Sequence, residues 1–388
     1  MSNLTSWREL SVDDLCLRVT SGGTPKRTVP EYYSPATIPW VKTGDLLDTY
    51  VSSYSEYISD RGLQESSAKI LPADTVLMAM YGATVGALGI LSEEATCNQA
   101  SCALITDPEV CNPRWLFYAL LNGRNYIVSQ ATGAAQQNLS GKTIRQFRFL
   151  TPPISEQRAI AEVLGALDDK IAANNKTIQL ADSLTSALAE DAFSRGNFVP
   201  LASIAEITMG NSPKGETLNE DGEGLAFFQG IRDFGVRYPQ ERVSSTAPTR
   251  FAKELDTLFS VRAPVGTVNL AGMPCSIGRG ISALSSKTET PYALFQAVRA
   301  SKIWERYNAE GTVFGSINRK QLEQSEIPWV FHSERYELES TLAGLERLLR
   351  TATVMNETLS SIRDTLLPQL MSGKLRVREA EAVVEDVL

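Results

Sequence analysis

Ser155-Glu156-Gln157-Arg158 opens a stretch that runs through Leu164-Gly165-Ala166-Leu167-Asp168-Asp169-Lys170-Ile171 to Ala192-Phe193-Ser194 without a proline. The stretch occurs twice. Adding 178 to each number gives Ser333-Glu334-Arg335-Tyr336 at the start and Leu370-Met371-Ser372 at the close, with no gap between. Leu164 maps to Leu342, Leu167 to Leu345 and Leu188 to Leu366. An internal repeat of this length dictates the architecture before any local feature does.

Both copies predict a helix. Apolar or small residues recur at three- and four-residue steps: Ile160, Leu164, Leu167, Ile171, Ile178, Ala181 and Leu188 in the first copy. The second has Leu338, Leu342, Leu345, Leu349, Ala352, Leu359 and Leu366. Sustained over about four heptads, that is the seam of a coiled coil. Ser155 and Ser333 are expected as N-caps, each followed by a glutamate at the positive end of the helix dipole. Gly196 and Gly373 stand where C-terminal glycines are expected. Pro368 is expected to kink the second helix or end it early.

Each seam carries one polar break, Asn174 and Asn356. If the helices pair antiparallel so that these asparagines meet, paired residue numbers sum to 530. Leu164 then faces Leu366, Ile171 faces Leu359, Ala181 faces Leu349 and Leu188 faces Leu342. Two mismatches remain, with Leu167 opposite Arg363 and Thr185 opposite Leu345. A buried asparagine pair fixes register at some cost in stability.

The 388 residues suffice for two or three domains, and 43% apolar with 21% charged residues is ordinary for a globular protein. Five cysteines (Cys16, Cys97, Cys102, Cys111 and Cys275) form no CxxC pair, so reduced thiols and a cytoplasmic location are expected. The uncharged run 76–91 is too short and glycine-rich for a membrane span, and its counterpart in the second half carries Arg262. The net charge of −8 is not the usual footprint of a nucleic-acid binder. Its distribution matters more. Residues 1–154 hold 12 Lys/Arg against 14 Asp/Glu, and 197–332 hold 14 against 14. The helical segments hold 4 against 7 and 7 against 10. Acidity is concentrated in the helices, and a local basic face on the other segments is permitted.

Residues 1–154 read as a mixed, mostly β domain. A glycine turn, Ser21-Gly22-Gly23-Thr24-Pro25, precedes Lys26-Arg27 and the aromatic pair Tyr32-Tyr33. Ile38-Pro39-Trp40-Val41-Lys42 and Asp74-Thr75-Val76-Leu77-Met78 read as strands, and 113–122 as a helix. Residues 197–332 retrace this order more loosely. Gly210-Asn211-Ser212-Pro213-Lys214 echoes the glycine turn, and Phe227-Phe228-Gln229-Gly230-Ile231-Arg232-Asp233 echoes 40–45. The segment 311–318 echoes 133–140 at the same offset. The expected fold class is α+β, with a pseudo-twofold internal repeat. Two mixed, mostly β domains, 1–154 and 197–332, are separated by helices 155–196 and 333–375 that form an antiparallel coiled coil. Residues 376–388 read as a flexible acidic tail.

Several fragments imitate catalytic motifs. Ser140-Gly141-Lys142-Thr143 resembles the end of a P-loop, yet Gln136 stands where that motif needs its first glycine. No GxGxxG follows a strand, so no nucleotide or S-adenosylmethionine domain is indicated. His332 is the only histidine, which argues against a histidine triad or a histidine-rich metal site. No catalytic residues and no metal ligands are assigned. Two similar heads on a rigid coiled coil instead form a caliper. The helix from Ile160 to Leu188 spans about 42 Å at about 1.5 Å per residue, against roughly 34–36 Å for a turn of B-DNA.

With these features the chain resembles the specificity subunits of type I restriction-modification enzymes. The resemblance rests on Pro152-Pro153-Ile154-Ser155-Glu156-Gln157-Arg158, on Leu164–Ile171 as quoted above, and on Leu370-Met371-Ser372-Gly373-Lys374-Leu375. It covers essentially the whole chain. At the second repeat, Trp329-Val330-Phe331-His332 replaces the Pro-Pro pair. The resemblance implies a non-catalytic subunit of an adenine-specific DNA methyltransferase and restriction complex. Each head would be a target recognition domain reading one half of a bipartite, asymmetric duplex DNA site. The paired helices would set the spacer and dock two methyltransferase subunits carrying S-adenosylmethionine, with ATP- and Mg-dependent translocase subunits completing the complex. No cofactor is expected in this chain and no membrane partner.

Candidate base readers are donor-bearing loop residues, because Arg and Lys read guanine and Asn and Gln read adenine in the major groove. In the first head these are Lys26, Arg27, Lys42, Gln136, Gln137, Asn138 and Lys142, with Tyr32 and Tyr33 as stacking or backbone contacts. In the second they are Lys214, Gln229, Arg232, Arg237, Ser316, Asn318, Arg319 and Lys320. Asp45 and Asp233 are expected to cap local turns. A coiled-coil scaffold whose heads bind protein or glycan is the alternative, separable by duplex binding under salt titration.

Overall fold

The computed structural model describes residues 6–132, 138–308 and 315–388. The chain divides into two compact units, Met1–Asn174 with Val354–Leu388, and Asn175–Thr353. Each unit contains mixed sheets and a portion of both long helices.

In the first unit a five-stranded sheet runs in the order Cys16–Ser21, Ser101–Thr106, Val76–Ala79, Leu88–Leu91, Thr49–Val51. A three-stranded sheet places Ile38–Val41 between Tyr57–Ile58 and Thr96–Cys97. The strand Val76–Ala79 is apolar at all four positions because both of its faces are covered. Its pleat sends Val76 and Met78 into a core shared with the helix Pro113–Asn122, and Leu77 and Ala79 into a second core with Val41 and Val51. Asn112 caps that helix by accepting from the Trp115 amide at 3.0 Å, and Pro113 occupies its first turn.

The second unit repeats this partition. Its four-stranded sheet runs Ala205–Met209, Ile281–Ser286, Thr257–Ser260, Val268–Leu270. Leu258 and Phe259, neighbours on the central strand, enter different cores. In both units a two-stranded antiparallel ladder ties the domain's first strand to its last, Arg8–Ser11 to Arg148–Thr151 and Asn197–Pro200 to Glu326–Trp329. The long helices follow directly, Ile154–Arg195 and Arg335–Met371.

In the first unit, Asn174 Nδ2 donates to Asn356 Oδ1 at 2.9 Å, the meeting that the antiparallel register requires. Leu164, Leu167, Leu359 and Leu366 share one buried cluster there, with Ile171 half-buried against it. In the second unit Leu338 and Leu342 are buried with Ala189, Ala192 and Phe193. Leu349 is also buried, and Ile178 is half-buried. Leu188 and Leu345 are only half-buried, while their neighbours Ala189 and Glu346 take the enclosed positions.

Three expectations about helix ends need correction. Ser155 lies inside its helix: the Pro153 carbonyl accepts from Glu156 and Gln157 at the N-terminus. Ser333 sits in a turn before Arg335, so neither serine is the cap. Pro368 neither ends nor shortens the second helix, which continues to Met371. The helix closes there in a Schellman motif: Gly373 adopts φ 67°, its amide donates to Leu370 and that of Lys374 to Gln369. Residues 376–388, expected as a flexible tail, form the helix Val377–Glu385. Ala380 and Val384 are buried in the first unit's main core, so apolar burial orders the segment despite its acidity.

No helix among the described residues is long and apolar enough to cross a membrane. All five cysteines are free. Burial pushes the thiols of Cys16, Cys97, Cys102 and Cys275 up to about 12, so they pack as small neutral groups.

Candidate nucleic-acid interface

Strand register superposes the surface turns of the two units. Trp40 and Val41 pair in parallel with Thr96 and Cys97, as Phe227 and Phe228 do with Ser276 and Ile277. Lys42 and Gln229 therefore occupy one position, immediately after that strand. The turn Asn98-Gln99-Ala100 corresponds to Gly278-Arg279-Gly280. Isolated bridges join Tyr81 to Asn138 and Arg262 to Ser316, which equates those residues in turn. The aspartates do as expected: Asp45 accepts from the Lys42 amide and Asp233 from the Gln229 amide, each at 2.9 Å.

In the first unit the glycine turn is anchored by the Gly23 amide, which donates to the Cys97 carbonyl at 2.9 Å. A Cβ on Gly23 would lie 2.3 Å from the Ala68 nitrogen, so only glycine fits. Arg27 stacks over Tyr33 and Trp40, 4.6 and 5.0 Å from their ring centroids, and pairs with Glu56 at 2.6 Å. Lys42 donates to the same Glu56 at 2.8 Å. These two bonds, that of Lys42 foremost, hold the Glu56 carboxyl below its usual range. Arg27 and Lys42 thus share one carboxylate, while Lys26 is exposed with no ion pair among the described residues.

The two tyrosines serve the scaffold. Tyr32 is buried with its hydroxyl donating to Glu65, and the Tyr33 hydroxyl donates to the Pro25 carbonyl at 2.6 Å. Asn138 is exposed and paired through its backbone with Thr132. Gln136 and Gln137 lie outside the described residues. Lys142 is exposed but lines a different depression, with Asp13, Arg145 and Arg148.

In the second unit Gln229 and Arg232 line an open cavity of about 610 Å³, together with Arg242, Arg262 and Arg279. Arg242 is neutralised by Asp233 at 2.5 Å. Arg232, Arg262 and Arg279 are exposed and make no ion pair among the described residues. Ser316 joins this site through its bridge to Arg262. Lys214 is exposed, 3.8 Å from Glu216. Asn318 caps the short helix Arg319–Glu323, Arg319 pairs with Glu323 at 2.7 Å, and Lys320 is exposed.

Arg237 departs from its expected role. It is 5% exposed and bound to Asp182 at 3.0 Å and Glu346 at 3.1 Å, so its guanidinium is spent inside the unit. Sequence reasoning also missed Gln99, Arg262 and Arg279. Each is an isolated polar residue in sequence, and only strand register gathers them with the rest.

A duplicated mixed α/β reader, with different donor side chains on one framework, is the class that fold and surface define. Residues 5–181 match the family described as the type I restriction modification DNA specificity domain. The chain is 28% identical over 294 residues to the putative type I restriction enzyme MjaX specificity subunit of Methanocaldococcus jannaschii, covering 69% of each. It is 22% identical to the MjaIX specificity subunit of that organism, over 93% of this chain and 92% of the other. The crystal structure of the type I restriction-modification S subunit from M. genitalium shares the fold, with TM-score 0.67 at 19% identity over 94% of this chain and 96% of that one. Residues 5–181 thus carry the type I restriction modification DNA specificity domain, and the chain is similar along its length to specificity subunits of type I restriction enzymes.

Proposed function

We propose that this chain is the DNA-reading, non-catalytic subunit of a type I restriction-modification complex. Each unit reads one half of a bipartite, asymmetric duplex target. The paired helices set the spacer between the halves and dock two methyltransferase subunits. Those partners bring S-adenosylmethionine, and translocase subunits bring ATP and Mg chemistry. The complex works in the cytoplasm, where its DNA substrate lies.

One observation carries the reading. Equivalent surface positions hold different hydrogen-bonding residues on a common framework, Lys42 against Gln229, Tyr81 against Arg262 and Asn138 against Ser316. A structural role would favour like residues at like positions; reading two different sequences requires unlike ones. The family relationship supports the same conclusion.

The test is the methylated motif in the genome of a host with and without this chain, read by long-read sequencing. The chain should direct a two-part motif, and Arg232→Ala should relax one part of it. A methylation pattern indifferent to the chain would refute the reading. Equal loosening of both parts would remove Arg232 from the base-contacting set.

A further inference from the structure

We propose that Gln99 and Arg279 are paired specificity determinants: Gln99 selects adenine in the half-site read by the first unit, and Arg279 selects guanine in the half-site read by the second. This rests on the DNA-reading function above and names residues for it.

The two residues sit at the tip of the same turn, and the turn is built the same way twice. In the first unit the Asn98 amide donates to the Val41 carbonyl at 2.9 Å and the Ser101 amide to the Asn98 carbonyl at 3.2 Å. In the second the Gly278 amide donates to Phe228 at 2.9 Å and the Ile281 amide to Gly278 at 3.0 Å. Further bonds lock each tip. Asn98 Oδ1 accepts from the Ala100 amide and the Ser101 hydroxyl, at 3.2 and 3.1 Å. The Gly280 amide donates to the Gln229 carbonyl at 3.2 Å. The turn thus links the two sheets of each unit through a fixed backbone.

The side chains at the tips are the opposite of fixed partners. Gln99 and Arg279 are both exposed, and neither side chain has a hydrogen bond or ion pair among the described residues. A held backbone presenting an uncommitted planar donor loses little ordering entropy on binding. Arg279 opens onto the cavity shared with Gln229, Arg232 and Arg262, whose one lining carboxylate among the described residues, Asp233, is already taken by Arg242. Chemistry then assigns the bases. A guanidinium forks onto guanine O6 and N7, whereas a carboxamide both donates to and accepts from adenine N6 and N7. One turn, carrying a different side chain at its tip, therefore reads different bases in the two halves.

The experiment uses the full chain assembled with its methyltransferase partners, in cells and in vitro. Arg279→Gln should convert one guanine of one half-site to adenine in the methylated motif, and methylation of the original sites should fall roughly tenfold or more. Gln99→Arg should make the reciprocal change in the other half-site. Spacer length and the untouched half-site should stay as they are in both variants. If both variants keep the wild-type motif while the wild-type chain still directs methylation, this inference fails and the DNA-reading function stands. If Arg279→Gln instead weakens every sequence equally and lowers the salt slope by about one, Arg279 is a phosphate contact and the inference is again overturned. If the wild-type chain directs no motif, the reading beneath it fails first.

Discussion

Asp168 in the first unit and Glu346 in the second stand 178 residues apart, at one position of the repeat. Each is the centre of an ionic layer beside the helix seam, and the layers are solved differently. Asp168 accepts from Arg363 on the facing helix at 2.9 Å and from the Tyr118 hydroxyl at 2.5 Å. Glu346 has no such helical partner, because the residue matching Arg363 is Thr185. Its cation arrives from the β domain instead: Arg237 binds Glu346 and donates to Thr185 at 3.3 Å, while Tyr238 donates to Glu346 at 2.8 Å. Acid and tyrosine recur; only the source of the guanidinium changes.

Burial separates the two solutions. The Asp168–Arg363 side chains are 15% and 22% exposed, the Glu346–Arg237 side chains 4% and 5%. In the drier layer burial pushes the Glu346 carboxyl above its ordinary range and the Arg237 guanidinium below its own, with their mutual attraction offsetting part of each shift. Two carboxylates there share two arginines, since Asp182 also binds Arg299 at 2.6 Å. A duplicated helix can thus tolerate loss of its own cation when the attached domain supplies one.

The largest effect should come from removing that cation. Arg237→Met leaves Glu346 enclosed without its partner and should cost about 3–5 kcal/mol by chemical denaturation. Arg363→Met, at the less deeply buried equivalent, should cost less, about 1 kcal/mol. Equal losses would show that burial does not distinguish the layers. Replacing Asn174 with leucine comes next: it takes one hydrogen bond from Asn356 and should cost about 1 kcal/mol. The double change to leucine should restore stability while loosening the register, visible as broadened cross-linking between cysteines placed along the seam.

The subtlest contrast lies in pH dependence. Glu346, with its folded pKa raised, adds stability below about pH 4.5 that is withdrawn as pH rises through the folded value. Asp182, held low chiefly by its hydrogen bond from Arg299, adds stability above about pH 3.8 that is lost as pH falls further. Acidifying the protein from neutrality should therefore first strengthen the second unit and then weaken it. Glu346→Gln should abolish the first phase only, followed by denaturant midpoints across the titration.

Much of this was legible in residue order. The gapless offset of 178 exposed the duplication, and one asparagine per seam gave the register that the Asn174–Asn356 bond occupies. Even the two seam mismatches, Leu167 opposite Arg363 and Thr185 opposite Leu345, mark where the ionic layers lie. Arg237 was misread because it has the sequence context of a surface loop, and its partners Asp182 and Glu346 are distant in the chain. Gln99 and Arg279 escaped because a single polar residue in a turn carries no signal until strand pairing fixes where the turn points. The C-terminal helix could have been found: Val377, Ala380 and Val384 recur at helical spacing, a pattern masked by the surrounding glutamates.

The first unit is assembled from both flanks of the second, Met1–Asn174 and Val354–Leu388. During synthesis, Asn175–Thr353 leaves the ribosome as one continuous piece and can complete its core first. The earlier-made portion must wait, with Leu164 and Leu167 uncovered, until Leu359, Leu366 and the helix Val377–Glu385 emerge to close over it. A nascent chain halted at residue 353 would thus present an open apolar surface to chaperones and proteases.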